Sequence, residues 1–349
     1  MTVTAKGRKD TTMRRTIVQT CAMLMLGLAA LSSGVLAQKK DLTARNAAAA
    51  GLPDRIWQDR GDAAALDLLN GAGGKAHAPD PAGAYTFVSE DTSGSNPKFV
   101  VIDRQGVEWK VKLGDESQSE TAATRFLWAA GYFVDEDYYL ATLTVKGMPT
   151  LHRGKDLVSP GGIIEGARLE RKSKTVKKLG DWDWFANPFL GTRELNGLRV
   201  MMSMVNNWDL KQVNNSIYVV DGERHYVVSD AGATFGHTGN ALQRSRSVPK
   251  DYEGSKFIAK VHPGVVDFEL NSRPLFLFAV ATSNYRDRTR MEKITQNIPL
   301  ADATWLGRRL SRLTDDQIRD GFRAAGYGAA DVEVLTRSIR KRIAALEAL

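Results

Sequence analysis

One short segment carries most of the residues in this sequence that could do chemistry. The run NWDLKQVNN, residues 207–215, holds Asp209, Lys211 and Asn214 in the spacing D-x-K-x-x-N. Phosphoryl transfer needs a carboxylate near the incoming hydroxyl, oxygen ligands for a divalent metal and cations on the phosphates. Asp209 could accept the hydroxyl proton, Lys211 could lie on the same side of an extended loop, and Asn214 could offer a neutral oxygen to the metal.

A second acidic residue stands further along the chain in a compatible place. Asp230 follows Asn214 by sixteen residues in SDAGATFG, where Ala231-Gly232 lets the chain turn sharply beside a bound ion. Between the two, SIYVV and HYVVSD flank Asp221-Gly222, a dipeptide that tolerates positive φ at both corners of a hairpin. We therefore expect a β-hairpin that separates two candidate metal ligands, Asn214 and Asp230.

The elements that must position these residues are visible in the hydrophobic pattern. Upstream, YTFVSED, KFVVIDRQG and VEWKVKLG alternate with a period of two between Gly-containing turns, which predicts an antiparallel meander. ESQSETAATRFLWAAGY then predicts a helix with Glu120 on its apolar face, and YYLATLTV and GIIEGARLER are further strand candidates. Downstream, Thr192 is expected to cap the helix that leads into the D-x-K-x-x-N loop, and a Thr314–Gln317 capping box indicates a helical tail.

The order of helix, D-x-K-x-x-N loop, β-hairpin and D-x-G resembles that of the protein-kinase-like superfamily. The resemblance implies an α+β, two-lobed protein-kinase-like fold, in which a small antiparallel β lobe with one helix is followed by a mainly helical lobe. It implies binding of ATP, or another nucleoside triphosphate, together with Mg²⁺ or Mn²⁺. It also implies that Asp209 and Lys211 are catalytic and that Asn214 and Asp230 hold the metal.

In that family a Gly-rich turn between the first two strands covers the nucleotide. The corresponding turn here is Thr92–Asn96, so the resemblance makes Ser93, Gly94 and Ser95 nucleotide-binding candidates. Their backbone N–H groups could cradle phosphate, or the residues could simply fill a polar turn. The sequence leaves both interpretations open.

The family also carries a phosphate-pairing lysine on its third strand. Lys112 in WKVKLG is the candidate here, and Lys110 is its rival because both side chains point to the same face of a strand. Glu120 on the following helix would be the ion-pair partner of that lysine. Ser117-Gln-Ser-Glu120 is equally interpretable as a capping box, in which the glutamate bonds its own helix terminus.

Several features depart from ordinary protein kinases. The loop lacks the usual His-Arg before Asp209, the turn at Thr92–Asn96 has one glycine, and the interval from Lys112 to Glu120 is short. These features are more similar to the atypical branches, such as the HipA-like kinases, the phosphatidylinositol 3/4-kinases and the secretory-pathway kinases. The resemblance therefore implies an atypical kinase that transfers a nucleotide γ-phosphoryl group to a hydroxyl on a protein, a sugar or a lipid.

The N-terminus has the pattern of a secretory signal peptide. The start MTVTAKGRKDTTMRR is basic, the next stretch is nearly uncharged and apolar, and Val35-Leu36-Ala37 suits cleavage near Ala37/Gln38. We predict a periplasmic or secreted protein, with an uncleaved N-terminal anchor as the alternative. Cleavage would remove five basic residues and one acidic residue, which lowers the formal net charge from +8 to +4. It would also remove the only cysteine, Cys21, and with it any disulfide or thiol chemistry.

The chain is expected to divide into four segments. Its content of 43% apolar and 25% charged residues is that of a globular protein. The segments are a signal peptide at 1–37, a lead-in helical segment and linker at 38–80, a small nucleotide-binding lobe at 81–172 and a large catalytic lobe at 173–349. No nucleic-acid partner is expected, and no transmembrane span is expected after signal cleavage.

The sequence lacks the motifs of several other enzyme classes. The five histidines show no metal-ligand spacing, and neither a G-x-S-x-G elbow nor an H-E-x-x-H helix is present, which weighs against hydrolases and zinc enzymes. Trp182, Trp184 and Phe185 could stack on a sugar or base, or pack in a core. Since nucleoside triphosphate is scarce outside the cytoplasm, the alternative to an exported kinase is a catalytically inactive kinase-like binding module of the cell envelope.

Overall fold

The computed structural model describes residues 48–94, 96–173, 175–237, 244–270 and 289–349. The predicted signal peptide at residues 1–37 and the turn residue Ser95 lie outside these ranges, so both stay predictions. Residues 53–349 form one compact unit. Among the described residues, none of the helices combines the length and the apolar character that a membrane crossing requires.

Strands dominate the first part of this unit and helices the last. The strands, in chain order, are β1 (Asp54–Arg55), β2 (Tyr85–Glu90), β3 (Lys98–Ile102), β4 (Glu108–Leu113), β5 (Asp137–Lys146), β6 (Ile163–Arg171), β7 (Lys177–Gly180), β8 (Asn215–Val220), β9 (Glu223–Val228), β10 (Ile258–His262), β11 (Val265–Phe268) and β12 (Ile298–Pro299). The α-helices are α1 (Glu116–Ala129), α2 (Arg193–Met204), α3 (Pro249–Gly254), α4 (Leu300–Leu310), α5 (Asp315–Arg323) and α6 (Ala329–Glu347).

The small lobe is a closed barrel with the strand order β2-β3-β4-β6-β5. The predicted meander of β2, β3 and β4 is confirmed, and β6 pairs antiparallel with both β4 and β5. A parallel pairing of β2 with β5, which the sequence did not predict, closes the barrel. Trp109, Val111 and Leu113 of β4 are buried in the barrel core. Because successive side chains of a strand point to opposite faces, Lys110 and Lys112 point away from that core.

Helix α1 joins the small lobe to the large one. It packs against β4, β5 and β6 of the barrel. On its other side Phe126 contacts the rings of Phe235 and Phe322, with centroid distances of 6.1 and 4.8 Å. Burial of such aromatic rings contributes strongly to core stability, so α1 is fixed between the two lobes.

The large lobe begins with a four-stranded sheet of the order β1-β9-β8-β7. β8 and β9 form the predicted hairpin, in which Asp221 and Gly222 have φ values of 48° and 80°. Positive φ at both corners is what a two-residue hairpin turn of this kind requires. The hairpin therefore separates Asn214 from Asp230 as the sequence predicts.

The predicted lead-in helical segment and linker contains only short helical turns at residues 53–80. There the helical structure consists of two 3-10 turns, Ala63–Ala65 and Lys75–His77, and β1 pairs in parallel with β9. Gly61, Gly71 and Gly74 adopt positive φ and interrupt the Ala-rich runs. The backbone turns at each of these glycines, so the runs between them do not continue as α-helices.

The rest of the large lobe is mainly helical. Thr192 caps α2 as predicted, since its Oγ1 accepts a hydrogen bond from the Leu195 N–H at 3.2 Å. The capping box of Thr314 and Gln317 at the start of α5 is also confirmed. The buried apolar face of α6, in the predicted helical tail, comprises Val332, Leu335, Ile339, Ile343 and Leu346. These features confirm the predicted α+β, two-lobed fold with a small β lobe, one helix and a mainly helical lobe.

The end of α2 is held in place by Arg342 of α6. The buried Arg342 Nη1 donates to the carbonyls of Ser203 and Met204, at 2.9 and 3.1 Å, and to Asn206 Oδ1 at 2.7 Å. The last carbonyls of a helix have no i+4 partner, and here Arg342 bonds them together with the Asn206 N–H at Ser203 and the Tyr252 hydroxyl at Met204. The loop that follows α2 thus begins at a fixed point.

Candidate active site

Lys112 is the centre of the site. Its Nζ lies 2.7 Å from Glu120 Oε2, 3.1 Å from Asp230 Oδ1 and 3.3 Å from Glu116 Oε2. Only 4% of the residue is exposed. Burial alone would lower the pKa of Lys112, but the carboxylates of Glu120 and Asp230 raise it above its ordinary value. Lys112 is therefore a charged group that joins β4, α1 and the loop after β9.

Glu120 makes the ion pair, and the capping-box interpretation of Ser117 and Glu120 is wrong. α1 begins at Glu116, so Ser117 already lies inside the helix, where its Oγ donates to the Lys112 carbonyl at 2.8 Å. The short interval between Lys112 and Glu120 suffices because α1 starts three residues after β4 ends at Leu113. Glu120 therefore lies close to the start of α1, where its carboxylate reaches Lys112 on β4.

Arg168 on β6 supports the pair from the other side, and the sequence analysis missed it. Arg168 lies directly opposite Lys112 in the pairing of β4 with β6. Its Nε is 3.3 Å from Glu120 Oε2, and its Nη1 is 2.5 Å from Asp137 Oδ1 and 3.1 Å from Glu170 Oε2. Burial raises the pKa of Glu120 above its ordinary value, although the charges of Arg168 and Lys112 oppose this shift by favouring the carboxylate.

Lys110, the rival candidate, occupies a different position. Its Nζ lies 3.4 Å from Glu170 Oε2, and the nearby Glu170 carboxylate raises the pKa of Lys110. Lys112 rather than Lys110 contacts Glu120 and Asp230. The structure therefore brings Lys112, and not Lys110, together with the other site candidates.

The D-x-K-x-x-N residues lie close together after α2. Lys211 Nζ is 2.7 Å from Asp209 Oδ1 and 3.0 Å from Asp209 Oδ2. Asn214 Nδ2 donates to the Asp209 carbonyl at 2.6 Å, and the Asp209 N–H donates to Oδ1 of the buried Asn207 at 3.1 Å. These bonds fix the orientation of the loop, and Asn207 is a positioning residue that sequence reasoning did not single out.

Asn214 and Asp230 are joined through backbone hydrogen bonds. The Asn214 carbonyl accepts hydrogen bonds from the Ser229 and Asp230 N–H groups, at 2.8 and 3.2 Å. The Asp230 side chain is 41% exposed, so its carboxylate is accessible to a ligand. Burial alone would raise the pKa of Asp230, but Lys112 holds it below the ordinary value, which keeps the carboxylate ionised.

Gly232 of the D-x-G motif allows α1 to approach Asp230. Its N–H donates to Asp230 Oδ1 at 3.3 Å, and its carbonyl accepts from Ser119 Oγ at 2.6 Å. A Cβ at this position would lie 2.7 Å from Glu116 Oε2 and 2.9 Å from Glu116 Cβ. The glycine is therefore required by the close packing of the loop against the first turn of α1.

Glu116 is a further site residue that the sequence analysis missed. Besides Lys112, its carboxylate accepts hydrogen bonds from Asn96 Nδ2 and from Arg246 Nη1. Asn96 belongs to the turn between β2 and β3, and Arg246 follows the D-x-G motif in the chain. Glu116 thus connects the turn of the small lobe to the large lobe across the site.

The described residues of the turn between β2 and β3 are held by side-chain hydrogen bonds. The Ser93 N–H and Oγ both donate to Asp91 Oδ1, at 2.9 and 2.6 Å. Arg153 Nη1 donates to the carbonyls of Thr92, at 2.9 Å, and Gly94. Bonds of Ser93 to Asp91 are those of a polar turn. A role of Ser93 and Gly94 in cradling phosphate stays a prediction.

The donor set fits a hard divalent cation. Asp230 offers carboxylate oxygens, and Asn214 offers an amide oxygen because its Nδ2 is already bonded to Asp209. Within the described ranges, no group of three or more His, Cys, Asp or Glu side chains is arranged to hold a metal ion. Magnesium in nucleotide sites is bound by one or two protein oxygens together with substrate phosphates, and Asn214 and Asp230 suit this mode.

The described unit has a two-lobed, protein-kinase-like fold in which the Lys112–Glu120 pair is buried. No protein-family model and no curated protein sequence matches the chain. Among solved structures it is similar to the proinflammatory kinase CtkA of Helicobacter pylori, with 12% identity, a TM-score of 0.43, and coverage of 75% of this chain and 96% of that one. It is also similar to the Golgi casein kinase with Mn/ADP bound, with 8% identity, a TM-score of 0.39, and coverage of 76% and 73%. The two-lobed fold is defined by the five-stranded barrel and the mainly helical lobe of this chain.

Proposed function

We propose that the chain is an exported, metal-dependent kinase of atypical type. It would transfer the γ-phosphoryl group of ATP, or of another nucleoside triphosphate, to a hydroxyl acceptor. One observation carries the proposal, namely that Lys112 Nζ contacts Glu120 and Asp230 at the same time. This contact places the candidate phosphate-binding lysine beside a candidate metal ligand, as phosphoryl transfer requires.

The nucleotide is proposed to bind at Lys112. Its ammonium would pair with the phosphates, while Glu120 and Arg168 hold the lysine side chain in position. A divalent metal, Mg²⁺ or Mn²⁺, held by Asn214 and Asp230 would supply a Lewis acid for the phosphate oxygens.

The D-x-K-x-x-N loop is proposed to act on the acceptor. The acceptor hydroxyl oxygen bonds to the γ-phosphorus while the bond from that phosphorus to the bridging oxygen of the leaving nucleoside diphosphate breaks. Asp209 takes the hydroxyl proton. Lys211, whose Nζ bonds both Asp209 oxygens, neutralises charge on the transferring group.

The predicted signal peptide supports a periplasmic or secreted location, and it also supports the second candidate function. A catalytically inactive kinase-like binding module would keep the fold in a compartment where nucleoside triphosphate is scarce. A degenerate module would be expected to have lost a metal ligand, whereas Asn214 and Asp230 are both present and adjacent. This adjacency favours the enzyme.

Transfer of radiolabelled phosphate from ATP tests the proposal. The purified chain would be incubated with Mn²⁺ and with protein, sugar and lipid acceptors, beside the variant Asp230→Ala and the matched variant Asp316→Ala on the exposed start of α5. We expect wild type and Asp316→Ala to transfer phosphate and Asp230→Ala to lose transfer. Equal incorporation by wild type and Asp230→Ala, or none across all acceptors, contradicts the enzyme. ATP-dependent thermal stabilisation without transfer would identify the inactive module.

A further inference from the structure

A pocket of about 490 Å³ borders the D-x-K-x-x-N loop. Its walls come from residues 183–185 before α2, residues 210–213 of the loop and residues 290, 291 and 294 before β12. Lys211, which lines the pocket, bonds both carboxylate oxygens of Asp209 at 2.7 and 3.0 Å. The pocket therefore lies next to the proposed catalytic base.

Phe185 gives this pocket an exposed aromatic surface. Trp182 and Trp184 are buried, with ring centroids 4.7 Å apart, and pack in the core. Phe185 differs, because 40% of it is exposed, and Val213 at the same pocket is 66% exposed. Neither side chain is needed to fill the core, so together they offer apolar surface to a ligand.

The cations of the pocket are paired with carboxylates. Arg290 Nη2 donates to both oxygens of Asp183, at 2.9 and 2.7 Å, and its guanidinium lies 5.0 Å from the centre of the Phe185 ring. Lys211 is paired with Asp209 in the same way. The pocket thus presents hydrogen-bonding groups whose charges are balanced, which favours an uncharged polar ligand over an anionic one.

We propose that this pocket binds the phosphate acceptor and that the acceptor is a neutral sugar. The proposal rests on the proposed function. The volume is that of a small-molecule pocket. The C–H face of a sugar ring is apolar and can pack against the ring of Phe185, while its edge hydroxyls pair with the carboxylate, amide and guanidinium groups of Asp183, Gln212 and Arg290. A hydroxyl directed toward Lys211 then lies beside Asp209, which takes its proton as the oxygen bonds to the γ-phosphorus.

Calorimetric titration of the purified chain with methyl glycosides of neutral hexoses and pentoses tests the proposal without nucleotide. We expect at least one glycoside to bind wild type and Phe185→Ala to weaken that binding about tenfold, because the aromatic face is lost. Leu190→Ala is the matched control, since Leu190 is 55% exposed and does not line the pocket. It should leave glycoside affinity unchanged.

The outcomes separate this proposal from the proposed function. Absence of binding by every glycoside at millimolar concentration overturns the sugar acceptor, and so does binding that Phe185→Ala leaves unchanged. Phosphate transfer to a peptide or a lipid without glycoside binding supports the kinase and overturns the sugar proposal. Glycoside binding that depends on Phe185, without phosphate transfer, supports a sugar-binding pocket but overturns its role as the acceptor site and contradicts the kinase.

Discussion

Lys112 Nζ and Glu120 Oε2 lie 2.7 Å apart in the interior of the protein. Arg168 Nε lies 3.3 Å from the same oxygen, so one carboxylate oxygen is shared by two buried cations. Removing one partner of a buried ion pair leaves an uncompensated charge, which costs far more than loss of a surface pair. The three residues therefore form a unit that fixes α1 to the small lobe.

The variant Glu120→Gln is expected to lose about 1–3 kcal/mol of unfolding free energy, because Lys112 and Arg168 lose the carboxylate they share and keep only their other partners. Urea denaturation measures this loss. Glu165→Gln is the matched control, since Glu165 lies on the exposed face of β6 and should change stability by less than about 0.5 kcal/mol. Equal stabilities of the two variants would contradict the importance of the pair.

Asp230 is expected to make stability depend on pH in the acid range. Its pKa in the folded protein is lower than in the unfolded chain, because Lys112 favours the charged form. Its contribution is therefore present above the ordinary aspartate pKa of about 3.9 and is lost as pH falls through the lower folded-state pKa. Urea unfolding across this range should show a steeper loss for wild type than for Asp230→Asn, and identical slopes would disprove the contribution.

The variant Gly232→Ala is expected to be destabilised by about 1–3 kcal/mol, since the added Cβ would overlap Glu116. Displacement of Glu116 should also weaken nucleotide binding at Lys112. Thermal denaturation and ATP titration measure the two effects. Gly254→Ala is the control, because a Cβ there meets nothing within 4 Å. A Gly232→Ala protein as stable as Gly254→Ala would argue against the close packing of this loop.

Arg342 is expected to be essential for the geometry of the loop after α2. Arg342→Leu removes the buried hydrogen bonds to Ser203, Met204 and Asn206 Oδ1 and should cost about 3 kcal/mol. Arg337→Leu on the same helix removes only an exposed contact with Glu253 at 3.7 Å and should cost less than about 1 kcal/mol. Chemical denaturation of both variants provides the comparison, and similar losses would contradict a specific role of Arg342.

Local patterns were sufficient to predict much of the fold. Strands β2 to β4, the hairpin at Asp221-Gly222 and the caps at Thr192 and Thr314 all follow from residues close together in sequence. The resemblance to the protein-kinase-like superfamily implied the pairing of Lys112 with Glu120, which the sequence left open beside a capping box. The closing of the barrel by β2 and β5 was not, since strand pairing between distant segments has no local signature.

Two site residues that the sequence did not reveal, Arg168 and Glu116, are also defined by contacts with distant residues. Arg168 stands between the apolar residues Ala167 and Leu169 in β6. This alternation places Arg168 on the same face as Glu170, but it does not show that this face is buried. Glu116 looks like an ordinary acidic residue in the first turn of a helix. Its contact with Arg246 joins positions 130 residues apart, and no sequence pattern predicts it.

Phosphate transfer by the variant Asp209→Asn tests the central claim most directly. Asp209 lies beside Lys211 and Asn214 in the loop, whereas the candidate nucleotide ligands are Lys112 and Asp230. We predict that Asp209→Asn binds ATP and Mn²⁺ as wild type does but transfers phosphate about 10²- to 10⁴-fold more slowly, because the general base is lost. Transfer at the wild-type rate by this variant would contradict it.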